Sequence, residues 1–211
     1  MIIEHQNRIN CTILPLNARL APWNIIKTKA KKMKQILKYL GLLLLAAILF
    51  ILIAGLFIAK DYHFERSITI NAPREKVWEQ VNNFTSRNKW NPWAEYDPGM
   101  QHTIEGTDGT VGAVHKWKGN KEVGSGSETI TMIEAPDKIN SILRFYEPFE
   151  SEANAFIMLT GEGNTTGATW GFDSRFPYPM NTMQLFMNMD KMMDKDFSNG
   201  LNKLKQNCEA L

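Results

Sequence analysis

Cysteine and histidine are scarce in this chain. Its 211 residues include only two cysteines, Cys11 and Cys208, and four histidines at isolated positions. Disulfide scaffolds and structural zinc sites need these residues at close, recurring spacings. The scarcity argues against a cystine-stabilised scaffold, and we expect no metal site and no cofactor in this protein.

Familiar catalytic motifs are missing as well. The chain has no G-x-S-x-G nucleophile elbow and no H-E-x-x-H zinc motif. Catalysis would need a positioned acid or base. His115 is the candidate, because the alternation of a predicted strand places it on the same face as Trp117. A single histidine on a strand is more often structural, so an enzyme is the alternative hypothesis. Other titratable candidates are Glu128, Glu134, Arg144, Tyr146 and Asp190.

Charge is absent from the long apolar run between Lys38 and Lys60. The 21 residues from Tyr39 to Ala59 would rise about 31 Å as a helix, close to the roughly 30 Å hydrocarbon thickness of a bilayer. Fourteen of them are Leu, Ile or Phe, and no face of the helix is polar. The run predicts a transmembrane helix over residues 39–59.

Two alternatives exist for this apolar run. A buried core helix usually keeps a polar stripe, which is missing here. A cleaved signal peptide with translation beginning at Met33 is the stronger alternative. We favour an uncleaved anchor, because the run is longer than a usual signal core and Phe57 stands where a small residue should precede a cleavage site.

The flanking charges predict the orientation of the anchor. Six lysines lie between residues 27 and 38, whereas Lys60 and Arg66 follow the run together with Asp61 and Glu65. The positive-inside rule then places the amino terminus in the cytoplasm and the rest of the chain in the periplasm or outside the cell. We expect a single-pass protein of the inner, cytoplasmic membrane.

The charge differs between the two parts of the chain. Residues 1–61 contain nine Lys and Arg against two Asp and Glu, whereas residues 62–211 contain 15 against 20. An acidic domain is a poor partner for nucleic acid, which binds clustered Lys and Arg. Residues 1–32 lack a sustained period and contain Pro15 and Pro22, so we interpret residues 1–38 as a basic, disordered cytoplasmic tail.

Residues 62–211 show the pattern of one α+β domain. Alternation predicts a first strand over Tyr62–Asn71, and Val77, Trp78 and Val81 follow at helical spacing after a cap and a proline. Period-two alternation with turn signals predicts six more strands between Met100 and Arg175. A long helix follows, because apolar residues recur every three or four positions from Phe186 to Cys208.

This order resembles the SRPBCC, or START-like, superfamily, and within it the bacterial polyketide cyclase/dehydrase-like branch. The resemblance covers residues 62–211 and implies a helix-grip fold, in which a seven-stranded curved antiparallel sheet wraps around the long terminal helix. The motifs that carry it are ITINAPREKVWEQV at 68–81, NKWNPW at 88–93, GSETITMIEAPDKI at 126–139, ATWGF at 168–172 and DKMMDKDFSNGLNKLK at 190–205.

The resemblance further implies an internal cavity that holds a hydrophobic or amphipathic molecule. Such pockets are mainly apolar with a few polar groups. We expect a membrane-anchored binding or carrier domain for a lipid or an aromatic molecule; the alternatives are a polyketide cyclase/dehydrase-like enzyme and an interaction module without a ligand. The residues expected to line the cavity, if they do not simply fill the core, are Trp117, Phe145, Trp170, Phe172, Met183, Phe186, Met187 and Met189.

Overall fold

A computed structural model describes residues 16–210 of the chain, with side chains for residue 29 and for residues 31–210. The chain divides into two compact units, with the boundary after Ile53. Helix α1, Leu16–Gly55, makes up the described part of the first unit and continues two residues into the second. By length and composition, the part of α1 from Lys31 to Gly55 is able to cross a membrane, and its most apolar stretch of 18 residues contains no buried residue.

The start of α1 differs from the expected disordered tail. The helix begins at Leu16, so residues 16–38 are helical, while residues 1–15 lie outside the described residues. The physical reason is local. Residues 23–38 contain no glycine or proline, and six of them are lysine, which favours a helix. Because the adjoining apolar stretch is already helical, these residues extend an existing helix and avoid the unfavourable nucleation of a new one.

The second unit contains seven strands and four further helical segments besides the long helix near its end. The strands are β1 Asp61–Ile70, β2 Gln101–Glu105, β3 Val114–Lys118, β4 Ser125–Glu134, β5 Lys138–Glu147, β6 Ser151–Thr160 and β7 Thr166–Arg175. The α-helices are α2 Arg74–Val81, α3 Phe84–Arg87 and the long helix α4 Met189–Glu209, and two 3₁₀ helices span Pro92–Glu95 and Met180–Leu185.

One antiparallel sheet contains all seven strands, in the order β1-β7-β6-β5-β4-β3-β2. Register shifts interrupt the β4–β5 pairing at Ser125/Gly126 and at Ile130/Met132, and such bulges bend a strand. Helix α4 packs mainly against β1, with fewer contacts to β7. The α+β class and the helix-grip architecture expected from the sequence are confirmed.

Helix α4 begins later than its apolar pattern predicts. A 3₁₀ helix over Met180–Leu185 comes first, and α4 starts at Met189. Pro177 and Pro179 restrict the backbone before the 3₁₀ helix. The side chain of Asn188 accepts a hydrogen bond from the Lys191 N–H at 2.9 Å, which is the geometry of a helix N-cap. The periodic residues before Asn188 therefore do not belong to the long helix.

The core between α4 and the sheet is aromatic. The buried ring of Phe197 stacks on Trp170 with centroids 4.1 Å apart and meets the edge of Phe64 at 5.2 Å. Trp93 approaches both Trp170 and Phe197 nearly at right angles. One turn further along α4, Gly200 lets the helix approach closely, because a Cβ there would lie 2.9 Å from the Trp170 ring. These rings close the space between helix and sheet.

Candidate functional site

A polar cluster is enclosed next to this aromatic core. His115 on β3 lies directly opposite Glu128 on β4, and Ser141 lies on β5 beside β4. Arg87, the last residue of α3, completes the cluster from above the sheet. Arg87, His115 and Ser141 are buried. Buried polar groups are costly unless they are paired, so the bonds among them decide what the cluster is able to do.

An ion pair forms the centre of the cluster. The Arg87 Nη1 donates to Glu128 Oε1 at 2.7 Å, and the Ser141 hydroxyl donates to the same oxygen at 2.6 Å. The Arg87 Nε donates to the backbone oxygen of Val81 at 2.7 Å. The guanidinium is thereby held at a defined position, with its Nη1 and Nε occupied.

The loop before β3 fixes the helix that carries Arg87. Asp108 accepts hydrogen bonds from the backbone N–H of Phe84 at 2.8 Å and of Thr85 at 3.0 Å, and from the Thr85 hydroxyl at 2.7 Å. Burial raises the pKa of Asp108, but these hydrogen bonds outweigh burial and hold the pKa below its usual value. A charged carboxylate therefore caps the amino end of α3.

Two histidines extend the cluster toward the edge of the sheet. His102 Nδ1 and His115 Nε2 lie 2.9 Å apart, and the rings are stacked with centroids 5.1 Å apart. Burial lowers the pKa of His115 below its ordinary value; Glu128 opposes the shift, while His102 and Arg87 reinforce it. His115 is accordingly a neutral imidazole at neutral pH.

A small cavity of about 60 Å³ adjoins the ion pair. Its apolar wall includes Phe84, Trp90, Trp93 and Trp170, and its polar wall includes Arg87, Asn88, Asn91, His115, Glu128 and Ser141. Among the residues that the structure describes, none accepts a hydrogen bond from the buried Nη2 of Arg87. The site thus combines an aromatic surface with one cationic donor that has no acceptor. The cavity volume is far below the roughly 300–1,000 Å³ of pockets for drug-sized ligands.

A sequence profile for polyketide cyclase/dehydrase and lipid transport proteins matches residues 61–209. The match spans the whole second unit apart from its ends. The chain belongs to the polyketide cyclase/dehydrase and lipid transport family. The superfamily expected from the sequence is confirmed, and the family and its fold support a ligand-binding domain. No curated protein sequence gives a significant match to this family member.

Solved structures agree with this family's fold. Ara h 8.0201 is 13% identical with a TM-score of 0.50, and the alignment covers 72% of this chain and 99% of that one. A Thermobifida fusca protein is 19% identical with a TM-score of 0.53, covering 71% and 94%. A Thermus thermophilus protein is 12% identical with a TM-score of 0.52, covering 71% and 98%. At these identities the likeness concerns the fold alone.

The structure of this family member separates the residues expected to line a cavity into three groups. Trp170 and His115 lie at the cavity wall. Trp117 and Phe145 contact each other edge to face at 5.7 Å, outside the cavity lining, and Phe172 packs on Phe64 and Phe197. The remaining four belong to the segment before and at the start of α4 and do not line the cavity: Met183, Phe186, Met187 and Met189. Of these, Met183, Phe186 and Met187 are exposed, since the 3₁₀ helix replaces the first turns expected of α4.

The sequence pattern does not predict Arg87 or Ser141 as site residues. Arg87 is separated from its partner Glu128 by 41 positions, and an arginine after an amphipathic helix is normally exposed. Arg87 lies three residues after Phe84, so both lie on the same side of a helix. This spacing is a sequence signal that Arg87 faces the core together with Phe84. Across the described residues, no three or more His, Cys, Asp or Glu side chains converge as a metal ion would require.

The neutral state of His115 leads to a pH-dependent stability. The pKa of His115 lies below its ordinary value of 6.5 in the folded family member. Below about pH 6.5 the unfolded chain therefore binds a proton that the folded chain does not, and the free energy of unfolding falls as the pH drops. We expect the native chain to lose stability between about pH 7.5 and 5.5 relative to His115→Gln. Urea unfolding at several pH values measures this difference.

His63 is present in both proteins and therefore cancels in the comparison. Its pKa is raised by a hydrogen bond to Asp173, so its own contribution to stability has the opposite sign. Parallel pH profiles for the native chain and His115→Gln would show that His115 is not held neutral.

Proposed function

We propose that this protein is a membrane-anchored binding or carrier domain for an amphipathic small molecule. In this proposal residues 39–59 span the inner membrane, residues 1–38 lie in the cytoplasm, and residues 62–211 form the ligand-binding domain on the other side. The apolar character of α1 supports the anchor. The family and its fold support ligand binding, and the features of the cavity support the kind of ligand.

The observation that carries the proposal is the unused donor of Arg87. Its Nη2 is buried and has no acceptor among the described residues, and it adjoins a cavity walled by Trp90, Trp93 and Trp170. A buried donor without a partner costs about 1–3 kcal/mol. A ligand with an apolar or aromatic body and a carbonyl, carboxylate or phosphate oxygen would satisfy the donor and cover the rings. This chemistry describes an amphipathic lipid or an oxygenated aromatic molecule.

The cavity has to widen before such a molecule fits. The 3₁₀ helix Pro92–Glu95 brings Trp93 to the cavity and is joined to α4 by two side-chain pairs. The Tyr96 hydroxyl donates to Asp196 at 2.7 Å, and Lys203 lies 2.5 Å from Glu95. Partly exposed pairs of this kind contribute little to stability. We propose that the 3₁₀ helix moves away from α4 to admit the ligand.

Retention of a bound molecule tests the proposed function. The full chain is purified from membranes in detergent, and native mass spectrometry detects and identifies small molecules that remain bound. Arg87→Lys keeps a positive charge beside Glu128 but removes the Nη2 donor, so we expect affinity for the retained molecule to fall about tenfold or more. Arg144→Lys is the matched control, because Arg144 pairs with Glu152 at the surface of the same sheet.

The two variants also define the opposing result. Loss of the molecule from Arg87→Lys but not from Arg144→Lys supports the site. A native chain that carries no molecule other than detergent, or equal retention by both variants, would contradict ligand binding at Arg87.

A further inference from the structure

An uncharged segment with exposed apolar side chains precedes α4. Residues 176–189 contain no Asp, Glu, Lys or Arg. Within them Phe186 is 70% exposed, and Leu185 and Met187 are exposed as well. These side chains do not line the cavity and do not belong to the core. Neighbouring exposed apolar residues of this kind indicate an interaction surface.

Hydrogen bonds attach this segment to the last residue of α1 and to the residues just after it. Asn181 is fully buried, and its Nδ2 donates to the backbone oxygens of Gly55 at 2.7 Å and Ile58 at 3.0 Å. Gln184 Nε2 donates to the oxygen of Ala59 at 3.1 Å. A side chain on Gly55 would collide with Thr182. The contact is therefore close and specific.

The chain at the end of α1 is itself apolar and exposed. Leu56 is 63% exposed and Phe57 is 86% exposed. Together with Leu185, Phe186 and Met187 these residues form what we call the apolar collar, because hydrogen bonds hold the two segments beside each other within the second unit.

We propose that the apolar collar lies in the lipid leaflet on the side where α1 ends. The inference rests on the proposed membrane anchoring. Covalent continuity supports a phospholipid surface as the occupant, because Leu56 and Phe57 directly follow the helix that is able to span the bilayer. Segments that lie in a leaflet interface typically bury an apolar face with Leu and Phe, and the collar contains both residue types.

The bonds of Asn181 hold the two segments of the collar together. The last carbonyls of a helix have no partner within the helix, and an unpaired carbonyl in a bilayer is costly because water is absent there. Asn181 supplies buried donors to Gly55 and to Ile58 at this point. Because Gly55 and Asn181 are buried in the protein, this cap fixes the segment before α4 to the end of α1, so both segments share the same surroundings.

The collar lies beside one end of the strands of the sheet. Asp61 at the start of β1 pairs with Arg175 at the end of β7, at the end of the strands nearest the collar. The strand registers place the β2–β3 turn, which contains Val111, at the opposite end of the strands. Val111 is 60% exposed. Phe186 and Val111 are thus comparable exposed apolar residues at opposite ends of the domain.

Spin-label accessibility measures the position of the collar. The full chain with Cys11→Ser is reconstituted into vesicles of phosphatidylethanolamine and phosphatidylglycerol, with Phe50→Cys, Phe186→Cys or Val111→Cys carrying the label. Cys208 stays in place, since it is buried and burial raises the pKa of its thiol to about 11. Phe50 lies in the middle of the apolar run and is 71% exposed, so it reports whether the anchor is inserted.

We expect the labels at positions 50 and 186 to be accessible to dissolved oxygen and protected from an aqueous nickel chelate, and the label at 111 to be several-fold more accessible to nickel. If the label at position 186 is as accessible to nickel as the label at position 111, while the label at position 50 stays protected, the collar is overturned and the anchor remains. If the label at position 50 is also as accessible to nickel as the label at position 111, both the anchor and the collar are refuted.

Discussion

Replacing Glu128 by leucine is expected to lower the free energy of unfolding by about 3–5 kcal/mol. The variant leaves the Arg87 guanidinium buried without a counter-ion, and it also removes the acceptor of the Ser141 hydroxyl. Water is unable to compensate fully, since the Arg87 and Glu128 side chains are only 10% and 18% exposed. The measurement is urea unfolding of the full chain in detergent, followed by tryptophan fluorescence.

The double variant Arg87→Met/Glu128→Leu tests whether the loss of stability comes from leaving one buried charge without its partner. Replacing a buried ion pair by apolar residues of similar volume is often nearly neutral, so we expect the double variant to lose less stability than the sum of the two single variants. Arg144→Met/Glu152→Leu is the control, because both side chains are about half exposed and their pair contributes about 0–1 kcal/mol. Strictly additive losses for Arg87 and Glu128 would show that the pair is not energetically coupled.

Phe197→Ala is expected to be equally damaging, with a loss of about 3–5 kcal/mol. The Phe197 ring is 3% exposed and contacts Trp170, Phe64 and Trp93. Removing it takes away these contacts and leaves a cavity, because rigid neighbouring rings collapse poorly into the space. Urea unfolding gives the change in stability, and near-ultraviolet circular dichroism reports the packing of the tryptophans.

Phe149→Ala provides the matched control for Phe197. Phe149 is the same residue type but is 66% exposed in the turn between β5 and β6. A substitution at such a position typically changes stability by less than about 0.5 kcal/mol. Equal losses for the two variants would mean that Phe197 does not hold α4 against the sheet.

The strands and the amphipathic helix α2 follow from local patterns. The six strands expected between Met100 and Arg175 are all present, because period-two alternation and turn residues report which face of a strand is buried. Residues 180–188 show where this reasoning fails. Their apolar spacing fits a helix, but the prolines and the Asn188 cap end that pattern, and Phe186 becomes exposed.

The candidate site was predictable only in part. Strand alternation points to His115 and the family resemblance points to Trp170, and both lie at the cavity. The role of Arg87 depends on Glu128, which lies 41 positions away, and on Asp108, which caps the helix that carries it. No local pattern encodes such a pairing, because the cost of burying a charge becomes visible only when the partner is in place.

The sequence by itself determined the apolar helix, the charge difference between the two parts of the chain, and the helix-grip family. The apolar helix and the charge difference depend on composition and short-range periodicity, which neighbouring residues report directly, and the family follows from the resemblance of its short motifs. The tertiary structure decided that the space between helix and sheet is filled by Trp93, Trp170 and Phe197, and that a buried arginine keeps one donor unused. These properties arise from packing between residues distant in the chain, whose volumes and charges act on one another only in the folded protein.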